Sequence, residues 1–323
     1  MNVPYKVLST LGAALFIFSA PLCAQTYPAK TIRYMVGYPP GGGTDILARI
    51  VAQKLSETFG QQVVVDNRPG ANSNIAAEIS AKAAPDGYNI FMVSAGLAIN
   101  KALDSSLKFD LERDFTPIIA IADVPMVVAV HPSVPATSIK QLIALAKAKP
   151  EQLSYGSSGN GSSEQITAEL LSTMTKIKLW HVQYKGGNAA AVAAAGGQVA
   201  LSFNSVPAAL PFLQNGRLKI LAVTSERRTA VLPDVPTVAE SGVPGYAYSV
   251  WYGTLAPAGT PKDVVSRLNS EINKIIKLRD VTERFATLGA DATGGTAEAF
   301  GARIKSEVAK FTRIIKESNI QPE

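Results

Sequence analysis

Apolar positions along this 323-residue chain alternate between two spacings, and that alternation carries most of its structural information. Short runs rich in Val, Ile, Met and Tyr, namely "TIRYMVGY" (31–38), "QVVVDN" (62–67) and "NIFMVS" (89–94), read as strands. Between them, Leu47, Ile50, Val51 and Leu55 recur at helical spacing, which predicts a helix over 45–59 closed by Gly60. "NSNIAAEISAKAA" predicts a second helix and "APDGY" a turn. This βαβαβ order implies a mostly parallel sheet with helices on both faces. Runs such as "VVV" and "PMVVAV" are apolar throughout, as strands covered on both sides must be.

The pattern then restarts. After "VPMVVAVHPSVP" come a helix in "SIKQLIALAKAK", a strand in "LSYGS", a helix over 163–174 and a strand in "LWHVQY". A helix in "NAAAVAAA", a strand in "GQVALSF", a helix in "PAALPFLQNG" and a strand in "RLKILAVTS" complete the series. A Pro/Gly-rich stretch, "LPDVPTVAESGVPGY", leads into "SVWYGTLAPAG" and three helices at 261–278, 280–288 and 296–318. Those helices have no sheet of their own, so they are expected to pack on the first unit. The chain then crosses between two α/β lobes twice. Lobe I is expected to hold residues 25–124 and 250–323, and lobe II residues 125–249. Ligands of open α/β sheets bind beyond the carboxyl ends of strands, and interdomain clefts favour pockets, so the site is expected between the lobes.

Several strand-to-helix loops fit that position. "YPPGGGTD", Tyr38 to Asp45, opens the helix 45–59 but lacks both GxxxxGK[ST] and GxGxxG, which argues against a nucleotide. Two readings stand: a packing turn, or an anion site. Gly42 and Gly43 bare the unpaired amides of a helix start, and Thr44 can cap the helix or donate its hydroxyl. Asp45 would repel a carboxylate; it can offset the helix dipole, or hold a water or a ligand ammonium. "YGSSGNGSS" (155–163), with Ser157, Ser158, Gly159 and Asn160, has the same design in the second lobe. Further candidates are Ser94 and Ala95 in "SAG", Tyr184 and Lys185 in "QYKGG", and Asn204 and Ser205 in "SFNSVP". Lys185 reads either as a counter-ion or as a surface lysine. Trp251 and Tyr252 in "VWYG" read as pocket lining or core, and Trp251 is taken as the ligand contact.

Composition removes several function classes. Net charge is +6, but Lys and Arg are dispersed, so no nucleic-acid face is expected. There are only two histidines, His131 and His181, and neither has a Cys, Asp or Glu at metal-ligand spacing; no metal or cofactor is expected. GxSxG, CxxC and HExxH are absent, and no paired carboxylates stand out, so the chain is not expected to be an enzyme. Residues 1–24 have the charged, apolar and cleavage-region order of a secretory signal peptide, with Ala24 the expected last residue removed. Its removal takes away the single cysteine, Cys23, and lowers the formal charge to +5. An exported, cysteine-free periplasmic monomer is expected.

Taken in order, "YPPGGGTDILARIVAQKLSETFGQQVVVDNRPGA", "AAPDGYNIFMVS", "YGSSGNGSS", "LPDVPTVAESGVPGY" and "WYGTLAPAGTP" closely resemble the Bug-type periplasmic solute-binding proteins, receptors of tripartite tricarboxylate transporters. The resemblance covers 27–320. It implies a type II periplasmic-binding-protein, or Venus-flytrap, fold that closes on a small organic carboxylate, with transporter subunits or a sensor ectodomain as partners. Carried to matching positions, it points to Gly42, Gly43, Thr44 and Asp45 in one lobe, and to Ser157, Ser158, Gly159, Asn160, Asn204 and Ser205 in the other. The chain also departs from the family. Asn72 and Ser73 follow "NRPGA" where glycines are frequent, and Tyr38 replaces a common apolar residue. Asn204 stands where Asp is frequent, which implies tolerance of an extra negative charge on the ligand.

Overall fold

The computed structural model describes residues 27–104, 106–184 and 187–321. The signal-peptide reading of 1–24 and the Lys185 candidate lie outside these residues. Strand β1 (Ile32–Val36) lies between β2 (Val63–Asn67) and β3 (Asn89–Ser94), all parallel. Helix α1 (Gly43–Phe59) connects β1 to β2, and Gly60 ends it in a left-handed conformation, φ 65°, as the sequence predicts. A 3-10 turn (Ala71–Ser73) and α2 (Asn74–Ala81) connect β2 to β3. Helix α3 (Ala95–Leu103) starts at the end of β3, where only a loop is expected from the sequence. Its "AGLAIN" start has no polar face to advertise a helix, and Leu97, Ala98 and Ile99 are all fully buried.

The first of the two links between the lobes is one long strand. Strand β4 (Phe115–Val130) spans 16 residues, of which only the last six read as a strand in the sequence. After α4 (Ile139–Ala148), strands β5 (Ser154–Ser157), β6 (Trp180–Gln183) and β7 (Leu201–Ser205) form the second parallel set, with α5 (Ser163–Thr175) and α6 (Gly187–Ala195) between them. Helix α7 (Val206–Gln214) and β8 (Lys219–Val223) follow, and the chain returns through β9 (Ser249–Pro257). From Phe115 to Pro125, β4 pairs with β9; from Met126 to Val130 it pairs with β7 and β8. The sheet is therefore mixed: parallel at the outer strands of each lobe and antiparallel wherever β4 and β9 cross. An antiparallel insertion leaves no periodic signature, because these strands are apolar on both faces. Thr224 joins the two crossings: its hydroxyl accepts from the Met126 amide (2.9 Å) and donates to the Tyr248 carbonyl (2.8 Å).

The terminal helices divide. Helix α8 (Lys262–Ile275) packs on α1 and β4, and α9 (Arg279–Thr287) leads to the short β10 (Asp291–Ala292), which pairs with β4. Helix α10 (Ala297–Glu317), however, touches α5 of the second lobe as well as α3 of the first. Helix α8 thus packs on elements of the first parallel set and the crossing strand, whereas α10 packs against helices of both sets. Phe311 stacks obliquely on Tyr248, at 6.1 Å between ring centres, and Ser318 meets Thr173 at 3.5 Å. Among the described residues, no helix is long and apolar enough to cross a membrane.

Candidate functional site

Helix starts from both lobes converge on one cavity of about 490 Å³. Thr44 comes from α1, Ser94 and Gly96 from the β3–α3 junction, Ser162 to Glu164 from α5, and Ser205 from α7. Three of these helices begin without a side-chain cap. The N-cap residues are Gly42 for α1, Ser94 for α3 and Ser205 for α7, and none bonds the helix amides. Uncapped N–H groups carry the positive end of the helix dipole, so the cavity offers donors without a lysine or arginine.

The glycine loop is built to bare one such start. Gly41 needs its left-handed φ of 85°, which L-residues seldom adopt. Gly43 is a close approach: a Cβ there would stand 3.4 Å from the Tyr252 hydroxyl. Asp45 locks the loop from behind. Its Oδ2 accepts from the Gly41 amide (2.9 Å) and Arg49 Nε (2.9 Å), and its Oδ1 from the Asn67 amide (2.9 Å). Burial pushes this carboxyl up, but Arg49, Gly41 and Asn67 together outweigh burial and hold it below the usual carboxylate range. Asp45 is therefore turned away from the cavity, with its charge met by Arg49. The structure corrects its assignment as a ligand contact: both oxygens are occupied within the loop.

At the start of this loop, Tyr38 joins Asn72 and Ser94 in a second polar group. The Tyr38 hydroxyl lies 3.2 Å from both Asn72 Oδ1 and Ser94 Oγ. Burial raises the Tyr38 and Tyr252 hydroxyls well above the ordinary tyrosine value, so both are neutral donors. Asn72 is held in place at a conformational cost. Ala71, Asn72 and Ser73 all have positive φ (44°, 48° and 77°), a region that costs roughly 1–2 kcal/mol per non-glycine residue. Buried Asn100 supports the run, accepting from Asn72 Nδ2 (2.8 Å) and donating to the Asn72 carbonyl (2.8 Å).

The second lobe supplies Ser158, Asn160, Asn204 and Ser205 to the cavity, all expected from the sequence. Ser157, Gly159 and Tyr184 are not in its lining. Ser157 is fully buried and bonds His181 Nε2 (2.5 Å) and the Gly159 amide (3.0 Å), so it shapes the loop rather than facing a ligand. Gly159, at φ 125°, is the bend itself, and Tyr184 packs over Gly156. On the first-lobe side, Gly42 acts as the α1 N-cap and Ala95 is buried at the first turn of α3.

Trp251 is the clearest correction. It is fully buried, edge-on to Phe300 at 5.8 Å, with Arg303 over its ring. Alternate residues of a strand face opposite sides, so β9 sends Trp251 to the core and presents Val250 and Tyr252 to the cavity. That period-two rule, applied to "VWYG", could have selected Tyr252. The sequence reading also missed Asn72 and Glu164 as lining residues. In sequence Asn72 stands out only as a family departure, and Glu164 looks like any first-turn acid.

Residues 47–320 match the family model described as the tripartite tricarboxylate transporter family receptor. The chain belongs to that family. It is 35% identical to the protein BugT of Bordetella pertussis over 319 residues, 97% of each chain. Among solved structures, R. palustris Rpa4515 with adipate superposes at TM-score 0.78 with 36% identity, over 92% of this chain and 100% of the other. MatC from Rhodopseudomonas palustris with bound malate gives TM-score 0.74 at 27% identity, over 90% and 100%. The family is one of periplasmic solute-binding receptors, and the fold is their two-lobe α/β fold.

Proposed function

We infer that this receptor captures a small organic carboxylate between its lobes and closes on it for uptake by a tripartite tricarboxylate-type transporter. The observation that carries the reading is the convergence of three uncapped helix starts on a cavity whose described lining holds no lysine or arginine. Fixed backbone dipoles of this kind suit a compact anion, and they come from both lobes, so a bound ligand bridges the lobes and favours closure. The adipate and malate in the two related structures support the ligand class. The change of β4 partners between Pro125 and Met126 supports lobes composed of 25–124 with 250–323, and of 125–249. Export through the 1–24 segment, and action as a monomer, complete the reading.

A thermal-shift screen of mono- and dicarboxylates tests it. A true ligand raises the unfolding midpoint progressively with concentration, since binding to the native state stabilises by mass action. If no carboxylate moves the midpoint at millimolar concentration while the protein is folded, the reading is wrong. Small-angle scattering with and without the ligand tests closure: unchanged dimensions at saturation would exclude it.

A further inference from the structure

The four helix starts at the cavity are not equivalent. At α1 the nearby acid, Asp45, faces away and is paired with Arg49. Helix α5 differs in two ways. Its N-cap Ser162 bonds the Gln165 amide, and Glu164, in its first turn, lines the cavity. Of the described lining residues, Glu164 is the one carboxylate, and the only other ionisable groups are the neutral hydroxyls of Tyr38 and Tyr252. One oxygen of Glu164, Oε2, accepts from the Ser158 hydroxyl at 2.8 Å. The other, Oε1, occupies the place a side chain on Gly187 would take, and Asn204 Oδ1 lies 3.4 Å from the same point. Asn204 is oriented by its own amide, which donates to the Gly187 carbonyl at 3.2 Å, leaving its oxygen on the side of Glu164. Two acceptor oxygens thus meet at the second-lobe end of the cavity, one of them on an acidic side chain, while the described first-lobe lining carries no charged side chain.

Resting on the carboxylate reading above, we propose that the ligand is a zwitterion: its carboxylate meets the α1 and α3 starts, and a cationic nitrogen meets Glu164 and Asn204. A dicarboxylate in the same pose would set its second carboxylate against Glu164, a like charge at short range. A protonated amine there gains charge-assisted bonds instead. This reverses the expectation drawn from Asn204 alone. The family's frequent Asp is absent from that position, but Glu164 supplies a carboxylate beside it, so the pocket selects against a second negative charge.

Two matched pairs test the proposal by calorimetry: 4-aminobutanoate against succinate, and 6-aminohexanoate against adipate. Each pair keeps the number of carbon atoms and exchanges an aminomethyl cation for a carboxylate. The parent is expected to bind the amino acid of at least one pair about tenfold or more tightly than its dicarboxylate. Glu164→Gln is expected to weaken that amino acid by at least about tenfold while leaving the dicarboxylate equal or tighter. A merely structural role for Glu164 would shift both members of a pair together, and that result overturns the proposal. So does a parent that prefers the dicarboxylate in both pairs, which leaves the carboxylate reading intact. If none of the four binds but another carboxylate raises the melting midpoint, the proposal fails and the reading survives; if no carboxylate of any kind binds, both fall together.

Discussion

Replacing Tyr252 by Phe removes one hydroxyl from the first-lobe end of the cavity and little else. The ring is held by β9, and no hydrogen bond from its hydroxyl to another protein group is formed among the described residues. The hydroxyl stands over Gly43 at the start of α1, where a Cβ would be 3.4 Å away. Burial, with Tyr38 nearby, raises its pKa well above the ordinary value, so it is a neutral donor across the physiological range. Losing a hydrogen bond to a charged group costs about 1.5–3 kcal/mol. That corresponds to a roughly 10- to 150-fold weaker Kd for whichever carboxylate gives the largest thermal shift. Stability should barely change, because no protein partner is orphaned. Tyr34→Phe is the matched control. Tyr34 is fully buried in β1 and its hydroxyl bonds Thr254 in the core, so that variant should lose about 1–3 kcal/mol of stability and none of its affinity. Calorimetry and urea denaturation on both variants separate the two effects. If Tyr252→Phe binds like the parent, or if the two variants lose affinity equally, the Tyr252 hydroxyl does not serve the ligand and the polarity assigned to the cavity is mistaken.

Other consequences are open to direct measurement. Trp251→Ala should cost about 3–5 kcal/mol of stability, as expected for a large buried aromatic against Phe300; if its main effect is on affinity rather than on the denaturation midpoint, Trp251 belongs to the site after all. Asn100→Ala removes the support of the positive-φ run at 71–73 and so frees Asn72. Weaker binding should accompany faster amide exchange of residues 71–74, and unchanged exchange there would contradict the strain argument. Asp45 has a folded-state pKa below its unfolded value, so its contribution to stability is present above about pH 3.9 and fades as pH falls through the folded value. Asp45→Asn should therefore be less stable than the parent at neutral pH, with the gap closing below about pH 4; a gap that widens on acidification would show that the pairing with Arg49 has been misjudged.

The sequence spoke clearly where one physical signal dominated. Helix α1 and its Gly60 stop, the βα alternation of both lobes and the three terminal helices could all be read from spacing and turn residues. The long strand β4 was harder, because a strand buried on both faces shows neither alternation nor turn punctuation along its length. Helix α3 was hidden for the same reason: it is apolar on every side that its neighbours cover. At the site, loops at strand ends were legible as places, and Thr44, Ser94, Ser158, Asn160, Asn204 and Ser205 do reach one cavity. What sequence could not decide was which way a side chain turns. Ser157 faces His181 and Trp251 faces Phe300, each a partner far along the chain, while Asp45 faces Arg49 one turn on in its own helix and Asn67 on the next strand. Glu164 reaches the cavity only because Gly187, in a different helix, leaves room for it.

A crystal structure with the tightest-binding carboxylate from the thermal-shift screen addresses the central claim most directly. The account predicts a carboxylate oxygen within about 3.2 Å of backbone amides at the start of α1 and of the hydroxyls of Thr44 or Tyr252, with no lysine or arginine in contact. A carboxylate seated instead at the α5 start beside Glu164, or held by a basic side chain, would contradict it.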